Sequence, residues 1–371
     1  MQTDNYPSVV ARPVSYSCHL ALHARTPTSS THDELPPALQ VLRMGLGFQV
    51  TAVVAVMARM GLADRLVSGP RTVSQLAEDV GADAGSLRRF LRTCVSLGLL
   101  DLVDSDTFEL TPVGACLHSD THSMHGCALG MGVPGHLRPF EHLYEGVMEC
   151  RPVAKDALGM EMWEYYDHHH DAMATLTEHL DEVTAELAPQ VIAAYDVTRF
   201  RKIVDVGGNQ GYFLAAMLQA APAATGVLLD RPEVMDAARD TVAGLGLEDR
   251  VEFVGGDFLE EVPEGGDLYL LKGILHDWDD EHVARILANC HRAARPDSTL
   301  LSFEGLARSA PPLDPLIHLI DLSMLLMVGG RERTREDFED LFGDAGYRIE
   351  RIVPLPSLGY FPYHIIEARR S

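Results

Sequence analysis

The chain has 371 residues, of which 54 are acidic and 30 basic, for a formal net charge of −24. That balance argues against nonspecific binding to nucleic acid or anionic lipid, since both need a cationic surface. A hydrophobic share of 46% excludes a wholly disordered chain, and the length exceeds one ordinary core, so two domains are expected. The six cysteines, Cys18, Cys94, Cys116, Cys127, Cys150 and Cys290, form no C-x-x-C pair and read as buried reduced thiols. The N-terminus lacks a basic start followed by an apolar run, and the most apolar stretch, 48–63, is broken by Gln49 and Arg59. A cytoplasmic protein without a membrane span is expected.

Residues 1–34, rich in Ser, Thr, Pro and His, are expected to form a flexible tail. Leu39, Leu42, Met44, Leu46, Val50, Val53, Val54, Met57 and Met60 are dense enough for a helix buried on more than one side. A second copy of the chain is a reasonable partner for it. Thr72-Val-Ser-Gln75 is a capping box that opens a short helix, ended by Gly81. Asp83 precedes a longer helix with Leu87, Phe90, Leu91, Cys94 and Val95 on its apolar side. Extended runs at 99–103 and 107–111 flank the turn residues Asp104-Ser-Asp106 and complete a winged helix. Arg88, Arg89 and Arg92 invite a DNA-binding regulator. Yet residues 71–120 carry four Arg, no Lys and eight acidic residues, a net −4. Without a basic footprint to release counterions, a dimerisation module is the stronger reading.

Residues 120–200 read as mainly helical. Met131 and Trp163, with Met324 and Met327 further on, suggest an adaptable apolar pocket for a flat acceptor, although core packing explains any one of them as well. His168-His-His170 has the look of a metal tract. Consecutive helical residues point about 100° apart, so a solvated surface is expected there, and no metal.

After Phe200 strands and helices alternate, with strands at 203–206, 226–230, 251–255, 268–271 and 299–303. The prediction is an α/β fold: a Rossmann-like, mostly parallel sheet over 181–371, behind an N-terminal helical winged-helix dimerisation domain over 35–180. The loop Asp205-Val-Gly207-Gly208-Asn-Gln-Gly211 fits G-x-G-x-x-G in neither frame. Asp205 would repel a pyrophosphate and attract an ammonium, while the paired glycines let a ligand approach the backbone. Asp230, ending the second strand, can accept hydrogen bonds from two ribose hydroxyls. Asp257, after the third, is placed for an exocyclic amine, with Phe258 beside the ring. A ligand with ammonium, ribose and adenine but no phosphate is S-adenosylmethionine.

On this loop, together with Leu271-Lys-Gly-Ile-Leu-His-Asp-Trp-Asp-Asp280 and Gly329-Gly-Arg-Glu-Arg-Thr334, the chain resembles class I S-adenosylmethionine-dependent small-molecule O-methyltransferases over residues 35–371. That branch includes plant caffeic acid enzymes and bacterial polyketide tailoring enzymes. The resemblance implies that Gly208, Asp230, Asp257, Phe258 and Lys272 contact the cofactor and that Trp278 packs beside the adenosine. It implies His276 as catalytic base, with Glu304 and Glu332 flanking and holding its ring. An imidazole at its ordinary pKa near 6.5 suits that task. It also implies a homodimer that methylates a hydroxyl of a small aromatic or polyketide product of secondary metabolism, such as an antibiotic, without a metal. Asn209 stands where the family commonly has glycine. N- or C-methylation, and non-methylating chemistry on the same cofactor (hydroxylation, decarboxylation, cyclisation), stay open.

Overall fold

The structure is a computed structural model that describes residues 35–119, 123–356 and 361–371. The expected tail, 1–34, lies outside the described residues. Where one helix was expected over 39–60 there are two, α1 (Pro37–Gly45) and α2 (Gly47–Arg59), bent by 44°. Gly45 and Gly47 bracket the bend, and glycine is a weak helix former. Among the described residues no single helix is long and apolar enough to cross a membrane; α1 and α2 pass that test only as a bent pair.

After α3 (Leu62–Leu66) and β1 (Arg71–Thr72), the capping box at Thr72 and Gln75 opens α4 (Val73–Val80) as expected. Asp83 caps α5 (Ala84–Ser96) by accepting from the Ser86 amide at 2.8 Å. The wing is the antiparallel pair β2 (Leu100–Leu102) and β3 (Thr107–Leu110), with β1 on the far side of β3. Met57, Leu62, Leu76, Leu91 and Phe108 pack as its core. Burial of the long apolar segment on more than one side is not met within one chain. Val41, Met44 and Phe48 are each more than 60% exposed.

A run of short helices follows: α6 (Pro112–Ala115), α7 (His125–Gly132), α8 (Pro134–Leu137), α9 (Leu143–Glu149), α10 (Ala154–Leu158) and α11 (Met162–His168). The long α12 (His170–Ala194) runs through position 180/181, so a division there would cut a helix. Small residues seat α7 between its neighbours: a β-carbon on Gly126 would meet α12 backbone at 2.8 Å, and one on Gly132 would meet Ala55 of α2 at 2.4 Å. Glu182 of α12 then accepts from the first amides of α7, Gly126 and Cys127, at 2.7 and 2.9 Å. A carboxylate at a helix N-terminus satisfies donors that lack an intrahelical partner. His168, His169 and His170 are exposed at the break between α11 and α12. Cys94 and Cys290 are buried, whereas Cys150 is exposed.

The C-terminal half comprises β4 (Lys202–Val206), α13 (Tyr212–Ala220), β5 (Thr225–Asp230), α14 (Met235–Gly244), β6 (Val251–Gly255), β7 (Leu268–Lys272), α15 (Asp280–Ala293), β8 (Thr299–Gly305), α16 (Pro315–Met327), α17 (Arg335–Asp344), β9 (Tyr347–Pro354) and β10 (Tyr363–Arg370). The sheet order is β6-β5-β4-β7-β8-β10-β9, parallel through β8, with β10 antiparallel to both neighbours. The two C-terminal strands extend the predicted parallel sheet. Alternate residues of one strand serve opposite cores: Leu228 packs with Phe213 and Leu218 on one face, Val227 and Leu229 with Ile286 and Leu287 on the other. Helices therefore cover both faces. The order reverses between β4 and β7, and open sheets of this kind bind ligands at such a switch point.

Candidate active site

Asp205, one residue before the end of β4, is 1% exposed, with Oδ2 lacking a hydrogen-bond partner among the described residues. Burial pushes its carboxyl up to about 7; Lys272 pulls it down and Asp230 raises it. An uncompensated buried carboxylate oxygen is costly, and a nearby cation or hydrogen-bond donor offsets that cost. The loop after it leaves no room for side chains. Gly207 adopts φ +74, and its β-carbon would stand 2.4 Å from Ile274. A β-carbon on Gly208 would stand 2.8 Å from Asp205 Oδ2. Asn209 takes φ 49, a left-handed conformation that asparagine tolerates better than most side chains, so its departure from glycine keeps the loop's shape.

Asp230 accepts the amides of Asn209 at 2.8 Å and Arg231 at 2.7 Å. Burial raises its pKa against these two bonds. Asp257 is exposed and accepts from the Leu259 amide at 2.8 Å. Phe258 and Trp278 meet edge to face, 5.8 Å between centroids, and form an aromatic corner. Lys272 ends β7; burial pulls its pKa down while Asp205, Asp181 and Glu304 pull it up. The cofactor positions read from the sequence thus gather along the strand ends, and an adenosyl group with an amino-acid tail fits this donor set.

His276 sits in a single 3-10 turn, Leu275–Asp277, directly after β7. Its Nδ1 lies 2.8 Å from Glu332 Oε1, and its Nε2 lies 3.6 Å from Asp277 Oδ1. Glu304 does not bond the ring. It accepts the Leu275 amide at 3.0 Å and the Ser302 hydroxyl at 3.2 Å, and so holds the turn instead. Burial pulls the imidazole down, but Asp277, the bond to Glu332 and the charges of Glu332 and Glu304 outweigh it and raise the pKa from 6.5 to about 10. The ordinary value expected from sequence is therefore not what this site produces. Burial likewise pushes Glu304 up to about 7, against the pull of His276.

The glycine-arginine motif has a mechanical explanation. A β-carbon on Gly330 would stand 2.0 Å from the His276 carbonyl oxygen, so only glycine permits this approach. The Arg331 amide donates to that same oxygen at 2.9 Å. Arg333, 1% exposed, donates to the carbonyls of Leu275 at 2.6 Å and Trp278 at 2.7 Å, and to Asp280 at 2.8 Å. Asp321 of α16 accepts the Glu332 amide at 2.8 Å. Asp277, Asp321 and Arg333 were not singled out from sequence. Arg333 lies inside a quoted motif, but a charged side chain there gave no sign of being buried.

The four proposed pocket residues differ in their surroundings. Met327 is buried with Met162, Tyr165 and Tyr166, while Met324 is half-buried on α16 and Met131 half-buried on α7. Trp163 is exposed beneath the Arg231 guanidinium, 5.8 Å from its ring, next to Asp230. Among the described residues no group of three or more His, Cys, Asp or Glu is arranged to hold a metal ion.

A doubly wound sheet with acidic strand ends, and a histidine–glutamate pair at its carboxyl edge, defines a methyltransferase of the S-adenosylmethionine-binding class. An O-methyltransferase domain model matches residues 140–348, and an O-methyltransferase dimerisation domain model matches 42–120. Mitomycin biosynthesis 6-O-methyltransferase from Streptomyces lavendulae is 37% identical over 320 residues, 86% of this chain and 90% of that protein. The solved structure of a mitomycin 7-O-methyltransferase superposes with a TM-score of 0.83 at 36% identity, covering 90% of this chain and 98% of that one. Aclacinomycin 10-hydroxylase from Streptomyces purpurascens is 33% identical over 333 residues, 87% of this chain and 88% of that protein. Solved neighbours of the fold hold S-adenosylmethionine or S-adenosylhomocysteine. The chain belongs to the S-adenosylmethionine-dependent O-methyltransferase family and uses that cofactor.

Proposed function

We propose that this enzyme methylates a hydroxyl of a small aromatic or polyketide natural product, with His276 as general base, and works as a homodimer. The observation that carries the reading is the His276–Glu332 pair in the turn after β7, at the carboxyl edge of the sheet. Asp205 with Gly207 and Gly208 would receive the amino-acid end of the cofactor, near Lys272. Asp230 would receive the ribose, and Asp257, Phe258 and Trp278 the adenine. Once bound there, the cofactor supplies a methyl group on a cationic sulfur.

Glu332 bonds Nδ1, so Nε2, 3.6 Å from Asp277 Oδ1, is the nitrogen that would face the acceptor. Nε2 would take the acceptor's hydroxyl proton, and the electron pair left on oxygen would form the O–CH3 bond as the S–CH3 bond breaks, its electron pair staying on sulfur to leave a neutral thioether. Three carboxylates hold the imidazole's proton tightly in the free enzyme, and a cationic ligand beside them offsets part of that field. A half-dry site that orients both partners supplies the rest.

The test uses labelled cofactor, a panel of phenolic acceptors and the variant His276→Ala. Turnover should fall about 10²–10⁴-fold, the usual contribution of a general base, while S-adenosylhomocysteine binding stays as in wild type. If the variant keeps wild-type kcat below the acceptor's own pKa, His276 is not the base. The hydroxylase among the relatives supports a second chemistry on this scaffold. A product that gains oxygen and no labelled methyl would favour it.

A further inference from the structure

Tyr363 opens β10, directly opposite Gly305 of β8 in the register that also sets His364 opposite Glu304. Its ring is fixed edge to face against Phe361, 4.8 Å between centroids. Its hydroxyl has no hydrogen-bond partner among the described residues. A half-buried phenol beside three carboxylates, with no partner among the described residues, is a donor left over for a ligand.

Gly273 shows where that donor points. A β-carbon on Gly273 would stand 3.6 Å from His276 Nε2 and 3.9 Å from Tyr363 Oη, and beyond its chain neighbours nothing else comes within 4 Å. Gly273 has φ +60, in the left-handed region, so glycine both shapes the turn and leaves the space open. The result is a notch floored by Gly273, with the imidazole nitrogen on one wall and the phenol oxygen on the other. Burial, and then the charges of Glu304, Glu332 and Asp277, raise the phenol's pKa, so it stands as a neutral O–H donor.

We infer that the notch above Gly273 receives the reacting oxygen of the acceptor, and that Tyr363 donates a hydrogen bond to that oxygen while His276 takes its proton. The inference rests on the methyl-transfer reading and adds a selection rule to it. A hydroxyl oxygen has two lone pairs, so one can accept from Tyr363 while the other attacks. An amine nitrogen has a single lone pair and cannot accept and attack at once. Tyr363 is thus a group that favours hydroxyl over amino acceptors.

The experiment compares wild type with Tyr363→Phe, which removes the hydroxyl and keeps the ring. Because that hydroxyl has no partner among the described residues, Tm and S-adenosylhomocysteine affinity should not change. On a phenolic acceptor kcat/KM should fall about 10- to 100-fold, the scale of one hydrogen bond to a developing charge. On the amino analogue of the same acceptor it should change by less than about twofold. Wild-type kcat/KM on the phenol, an equal fall on phenol and amine, or weakened S-adenosylhomocysteine binding would each overturn the inference. If wild type methylates no hydroxyl at all, the methyl-transfer reading has failed by itself. Calorimetry of the phenol on the S-adenosylhomocysteine complex then tests the notch directly: about tenfold weaker binding to Tyr363→Phe supports it, and equal binding overturns it.

Discussion

At His276 the surroundings rewrite the chemistry of the side chain. Its imidazole is pulled down by burial and pulled further up by Asp277, Glu332 and Glu304, ending at about 10. A base acts only when neutral, so the acid limb of kcat/KM, which reports the free enzyme, should lie well above pH 7. Replacing Glu332 with glutamine removes one anion and keeps a side chain that can still accept from Nδ1. The imidazole then releases its proton more easily, and the limb should move to lower pH by about 1–3 pH units, the usual reach of one neighbouring charge. A pH–rate profile of Glu332→Gln checks this. A limb that does not move would mean that Glu332 and His276 are not coupled.

At the scale of elements, the segment Gly329–Arg333 and the turn Leu275–Trp278 behave as one part. Gly330 and the Arg331 amide close on the His276 carbonyl, and Arg333 ties the two ends of the turn to Asp280. Lysine keeps the charge but cannot reproduce the planar fork that serves three acceptors together. Arg333→Lys should therefore lower stability by about 2–4 kcal/mol, through buried carbonyls left without donors. In molecules that remain folded, kcat should fall about tenfold or more with the acceptor KM little changed, because loss of alignment acts on the chemical step. Thermal melts and steady-state kinetics at a temperature well below Tm separate the two effects. A folded variant with wild-type kcat would show that the turn is held without Arg333.

The same parts mark how far sequence reading reaches. Asp205, Asp230, His276 and Glu332 were legible because each ends a strand or sits in a short local pattern, and local patterns survive without a fold. The winged helix was legible from its caps, which are also local. Tyr363 was not, because only the pairing of β10 with β8 brings it to Gly273, a neighbour far away in sequence. The pKa of His276 was not legible either. It depends on Asp277, Glu304 and Glu332 arriving together, and no single motif contains all three.

For the whole molecule, the feature in need of a partner is the apolar surface of α1 and α2, where Val41, Met44 and Phe48 are 69%, 67% and 68% exposed. A soluble monomer rarely keeps such apolar surface in water, and the dimerisation domain matched at 42–120 covers all of α2 and the last four residues of α1. Placing charge there should release single chains: by light scattering at micromolar concentration Val41→Glu combined with Phe48→Glu is expected to be monomeric and wild type dimeric. Net charge gives a second, independent sign. Each chain carries −24, so two chains repel, while the proposed contact is apolar. Added salt screens the repulsion over about 10 Å at 0.1 M and leaves apolar contact intact. The dimer should therefore tighten as salt rises from 20 mM to 200 mM (roughly, spanning that screening range), the reverse of an interface built on ion pairs. Dissociation by salt would place the contact on charged groups elsewhere, and a wild-type monomer at micromolar concentration would remove α1 and α2 as the interface.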